Sequence, residues 1–189
     1  MKVLVCSSGG GSNFESLVIK SEVFKSYKVC KLIVDRKCGA IEIAKSLGIQ
    51  SELLTQSSPI EEQLLNHFDG FDLIVLAGFM PIVSARVIES VSGMIINTHP
   101  SLLPKHGGRG MYGVRVQESV LSSVDSIAGC TVHQVNSEID GGLVLAQSEM
   151  MIPEGISPWS LGGLVHELER ELLPLTVHRL AIGEISLAI

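Results

Sequence analysis

Apolar runs of strand length alternate with helix-spaced stretches through roughly the first hundred residues, and this alternation constrains the fold more than any single motif. Strands are expected near residues 3–6, 27–34, 50–54, 72–77 and 94–97, with helices near 13–20, 40–47, 61–67 and 84–91 between them. Strands joined through a helix pair side by side in parallel, so this order predicts a parallel sheet covered by helices on both faces. Beyond a glycine-rich loop at 105–113 and a helix at 114–121, two β-like runs at 127–135 and 143–148 flank a polar turn. That turn predicts an antiparallel pair, and hence an α/β fold with a Rossmann-like, mixed but mostly parallel sheet. A last helix is expected over 157–180, with Leu161, Leu164, Val165, Leu168 and Leu172 on its apolar face and a kink or break near Pro174.

Composition narrows the function. The 189 residues, 46% of them apolar, suffice for one α/β core, so a single domain over 1–189 is expected. The formal charge is −6 with no block of like sign, which favours small-molecule partners over nucleic acid. The opening apolar run is too short for a signal peptide, and no later run is long enough to span a membrane. Cys6, Cys30, Cys38 and Cys130 are widely spaced, with no C-x-x-C pair for zinc or redox chemistry. Reduced, mostly buried thiols in a cytoplasmic protein are expected.

Four clusters carry chemistry. Ser7-Ser8-Gly9-Gly10-Gly11-Ser12-Asn13 joins the first strand to a helix. Such a turn brings backbone N–H groups and the helix dipole to an anion, phosphate above all, though Ser12 or Asn13 could simply cap the helix. A dinucleotide fingerprint would need glycine where Phe14 stands, although Asp35 at the end of the second strand keeps a ribose contact open. Leu76-Ala77-Gly78-Phe79-Met80, followed by Pro81-Ile82-Val83, offers either core packing or an apolar slot for a flat ring. Asn97 and His99, two apart at a strand end, point the same way, and Pro100 and Pro104 force the chain into a loop there. Asp140-Gly141-Gly142 is an ordinary turn, or else a carboxylate beside His99 that favours the imidazolium, an acid near neutral pH.

The segments Gly9 to Asn13, Leu76 to Met80, Asn97-Thr98-His99-Pro100-Ser101-Leu102-Leu103-Pro104 and Asp140 to Gly142 resemble, in order and spacing, those of the folate-dependent formyltransferases. The similarity covers essentially the whole chain and is greatest to the branch acting in purine biosynthesis. It implies the formyltransferase fold, with a phosphate-binding half near 1–100 and a folate and catalytic half near 101–189. The implied reaction moves a formyl group from 10-formyltetrahydrofolate, as co-substrate and without a metal, to the amine of glycinamide ribonucleotide.

By position, the resemblance implies Asn97, His99 and Asp140 as the catalytic trio, and Gly11, Ser12, Asn13, His166 and Glu169 for the ribonucleotide. It implies Phe79, Met80, Pro81, Ile82, Val83, Val135, Asn136 and Glu138, with Asn97 and Asp140, around the folate. His166 takes a place usually held by Lys or Gln, Pro81 one where a basic residue is common, and a further folate-side arginine has no clear counterpart. The tRNA-formylating branch normally adds a C-terminal domain and the folate-hydrolysing branch an N-terminal one, and this chain is expected to carry neither. A monomer or homodimer is expected. From other classes, a dinucleotide oxidoreductase or a non-catalytic nucleotide-binding module stands as the alternative.

Overall fold

A computed structural model describes residues 1–55 and 57–185. Five strands alternate with four helices: β1 (Lys2–Ser7), α1 (Ser12–Phe24), β2 (Lys28–Val34), α2 (Gly39–Ser46), β3 (Gln50–Leu53), α3 (Ile60–Phe68), β4 (Leu73–Leu76), α4 (Ala85–Ser90) and β5 (Met94–His99). Then follow α5 (Val114–Ser122), β6 (Ile127–Gln134), β7 (Val144–Met151) and α6 (Pro158–Ala181). The sheet order is β3-β2-β1-β4-β5-β6-β7, parallel through β5 and antiparallel at β6 and β7, as the pattern of runs predicts.

The alternation of β1 explains the two layers. Val3 and Val5 face one cluster with Phe14, Leu17, Leu173 and Val177, under α1 and α6. Leu4 and Cys6 face the other with Leu64, Phe68 and Val87, under α3 and α4. The chain winds outward from β1 to β3, then returns to place β4 on the other side of β1. Their carboxyl ends therefore diverge at a topological switch point, where open α/β sheets hold ligands. Two bonds tie its rims together: Ser8 N–H donates to the Gly78 carbonyl (3.0 Å), and Met80 N–H to the Ser8 hydroxyl (2.8 Å).

Three local expectations are corrected. Helix α6 runs unbroken through Pro174. Proline supplies no N–H for the carbonyl four residues back, and the Ser16 hydroxyl of α1 donates to that Arg170 carbonyl instead (2.5 Å). Leu164 lies outside the buried stripe, 41% exposed, because Leu161, Val165, Glu169 and Leu173 are the inward positions. Strand β7 starts at Val144 and extends to Met151, leaving Leu143 exposed in the turn. Of the four cysteines, all free, Cys6 and Cys130 are buried and Cys30 and Cys38 only partly so. The expected domain limit at 189 falls outside the described residues.

Candidate active site

Gly11 sits at φ +89°, and a Cβ there would stand 2.6 Å from the Ala40 Cα. Only glycine fits, and its left-handed turn sets the start of α1. Among the described residues no side chain caps that helix, so its first N–H groups face outward as an anion site needs. The Ser12 hydroxyl lies 2.5 Å from His166 Nε2 of α6. His166 Nδ1 donates to Glu169 Oε2 (3.0 Å), and this carboxylate partner holds the imidazole above the usual histidine range.

Glu169 is the hub of a buried polar network. Its Oε1 accepts from the Thr98 hydroxyl (2.8 Å) and its Oε2 from Asn13 Nδ2 (3.4 Å), while Asn13 Oδ1 is buried with no protein partner among the described residues. A carboxylate placed on the inward stripe of a helix is costly unless hydrogen-bonded, so its three donors account for its burial. The orphaned amide oxygen leaves an acceptor for an incoming N–H or O–H.

On β5, Thr98 faces α6 while Asn97 and His99 face the opposite layer, as strand alternation requires. His99 is 4% exposed. Its Nε2 donates to the His106 carbonyl (3.0 Å), which leaves Nδ1 toward Asp140, 3.6 Å from Oδ1. Asp140 Oδ2 accepts from Gly108 N–H (2.8 Å). The turn presenting Asp140 (φ +54°) depends on Gly142, at φ +90°, where a Cβ would meet the Gln134 carbonyl at 2.1 Å.

Opposite Asn97 in the β5–β6 register stands His133. His133 Nδ1 faces two carbonyls, of Gly141 (2.9 Å) and Gln134 (3.0 Å), so it bears the proton and Nε2 accepts from Asn97 Nδ2 (3.0 Å). Burial holds His133 below the ordinary histidine range, in keeping with that neutral form. The amide of Asn97 is thus oriented, and its second N–H is left for a ligand.

All of the site residues expected from sequence line one cavity of about 730 Å³. The anion turn with His166 and Glu169, the trio Asn97, His99 and Asp140, and the segments 79–83 and 135–138 all line it. Phe79 and Val83 join the core, whereas Met80 and Ile82, 45% and 69% exposed, open onto the cavity, so both readings of that segment hold in part. Asp35, expected as a ribose contact in the dinucleotide alternative, lies outside the lining, its Oδ2 held by Arg36 (2.6 Å). Thr98, His133 and Arg109 also line the cavity and were not singled out from sequence. Strand register would have paired His133 with Asn97, Arg109 belongs to the glycine-rich loop at 105–113, whose resemblance to an active-site loop is its signal, and no local signal marks Thr98.

Three comparisons bear on this arrangement. A family model described as formyl transferase matches residues 1–177. A chloroplastic phosphoribosylglycinamide formyltransferase of Arabidopsis thaliana is 34% identical over 90% of the chain, which spans 62% of that relative's length. The Escherichia coli phosphoribosylglycinamide formyltransferase is 29% identical over 99% of the chain and 90% of its own length. Among solved structures, the phosphoribosylglycinamide formyltransferase of Anaplasma phagocytophilum superposes with a TM-score of 0.89 at 29% identity, over 100% of this chain and 90% of that one.

Proposed function

The chain belongs to the formyl transferase family, and from that premise we propose that it transfers the formyl group of 10-formyltetrahydrofolate to the amine of 5'-phosphoribosylglycinamide. The products are the N-formyl ribonucleotide and tetrahydrofolate, in de novo purine biosynthesis. The observation that carries this reading is the convergence of Asn97, His99 and Asp140 in one cavity with an anion turn and an apolar slot. A phosphorylated amine and a flat-ringed donor held in that cavity would meet at this trio.

Gly11, Ser12 and Asn13 hold the phosphate, with His166 adding positive charge beside it. Glu169 and Asn13 Oδ1 accept hydrogen bonds from the ribose or glycinamide. Residues 79–83 and 135–138 enclose the pteridine, with Met80 and Ile82 against its face. The amine attacks the formyl carbon, forming a C–N bond and placing negative charge on the formyl oxygen. The free N–H of Asn97 and the Nδ1–H of protonated His99 stabilise that oxyanion, and Asp140 holds the imidazolium. One proton leaves the attacking nitrogen and one reaches the folate nitrogen as its C–N bond breaks, through water or His99.

The acidic net charge of −6 supports small-molecule rather than nucleic-acid partners. Among the described residues no helix is long and apolar enough to cross a membrane. A cytoplasmic monomer or homodimer, its one domain dividing near residue 100 into a phosphate-binding and a folate and catalytic half, completes the reading. The test is a folate-absorbance assay with and without the ribonucleotide. Acceptor-dependent turnover is expected; turnover without acceptor would mark a hydrolase instead.

A further inference from the structure

The geometry points to His106 as a positioning residue that fixes the tautomer and aim of His99. This inference rests on the role proposed above for His99. His106 does not line the cavity that holds Asn97, His99 and Asp140. It adopts a left-handed backbone at φ +55°, unusual for a residue with a Cβ, and that conformation turns its carbonyl toward His99 Nε2, 3.0 Å away.

Its side chain is gripped at both nitrogens on the side away from the cavity. Nε2 donates to Asp125 Oδ2 (3.0 Å), and Nδ1 pairs with the Ser119 hydroxyl of α5 (2.8 Å). Asp125 is anchored in turn by Lys105 Nζ (2.5 Å) and the Ser123 hydroxyl (3.1 Å). The imidazole of His106 is only 13% exposed. A ring held at two points from two directions cannot rotate without breaking both bonds, so the peptide that carries the 106 carbonyl is held with it.

The consequence falls on His99. A carbonyl can only accept, so Nε2 of His99 must keep its proton, and every proton gained or lost at this ring is confined to Nδ1, the nitrogen facing Asp140. Two residues on, Gly108 N–H fixes the other carboxylate oxygen of Asp140. One short stretch, clamped from outside the cavity, therefore sets both members of the pair.

His106→Gly tests this, because glycine keeps the left-handed backbone accessible and removes only the grip. Steady-state kinetics are expected to show kcat lowered about tenfold or more, with both KM values within about twofold of the parent, as for a loss confined to the transition state. In ¹⁵N-histidine NMR of the free protein, neutral His99 is expected as the Nε2–H tautomer in the parent and as a mixture in the variant. Asp125→Ala, which removes the grip without touching the left-handed residue, should move both readouts in the same direction, and it serves if His106→Gly does not fold. Parental kcat, or a lowered kcat with the His99 tautomer unchanged, would overturn the inference. Because the tautomer is read without substrate, failure of the formyl-transfer reading itself would appear separately, as a parent protein with no turnover.

Discussion

Asn97 and His133 face each other across the antiparallel β5–β6 pair, with the amide Nδ2 3.0 Å from the imidazole Nε2. The bond exists only while His133 is neutral; burial favours that form, and the two carbonyls at Nδ1 fix which nitrogen then carries the proton. A neutral histidine thus orients the amide proposed above to face the developing oxyanion.

Replacing His133 by Leu should let that amide rotate. Removing an oxyanion donor outright costs about 10²–10³ in kcat, so losing only its orientation is expected to cost about tenfold. Asn97→Ala should cost more, and steady-state kinetics on the two variants would check the ranking.

The same residue sets a pH dependence. Its folded-state pKa is depressed below the unfolded value of about 6.5, so the unfolded chain binds the proton more readily. Stability should therefore be full above that value and decline as pH falls toward the depressed folded-state pKa. Urea melts from pH 7.5 to 5 should show a shallower decline for His133→Leu than for the parent.

At the glycine turn the sign reverses. Glu169 holds His166 above the ordinary range, so its positive charge beside Ser12 survives to higher pH than a free imidazole's would. Glu169→Gln should make affinity for the ribonucleotide fall off at lower pH than in the parent, with folate affinity unchanged. Calorimetric titration across pH 6 to 8.5 reads this directly.

Gly11→Ala should fail for steric reasons at two levels. It combines a strained φ with a clash against Ala40, and thermal melts are expected to show about 2–4 kcal/mol of lost stability. The displaced turn should also raise KM for the ribonucleotide more than for the folate.

The alternation of runs made the layer order legible, because each βα unit announces itself within about thirty residues through its own periodicity. The strand-end pair Asn97 and His99 was legible for the same reason, since two residues on one face need no tertiary information. The partners that arrive from elsewhere were not. His133 reaches Asn97 only through the β5–β6 register, and Thr98 is absorbed into the buried network by Glu169, which lies 71 residues away. Proline at 174 reads as a helix breaker until Ser16 supplies the missing donor from another helix. The apolar pattern of α6 assigned Leu164 to the core because a buried glutamate at 169 cannot be anticipated from hydropathy alone.

The central claim is that His99, with Nδ1 facing Asp140, stabilises the transferring formyl group. Single-turnover transfer from 10-formyltetrahydrofolate to the ribonucleotide, measured for His99→Ala beside the parent, tests it most directly. The account predicts a rate lower by about 10² or more, in the range for loss of an oxyanion donor, with both substrates still bound. Transfer at the parental rate would contradict it.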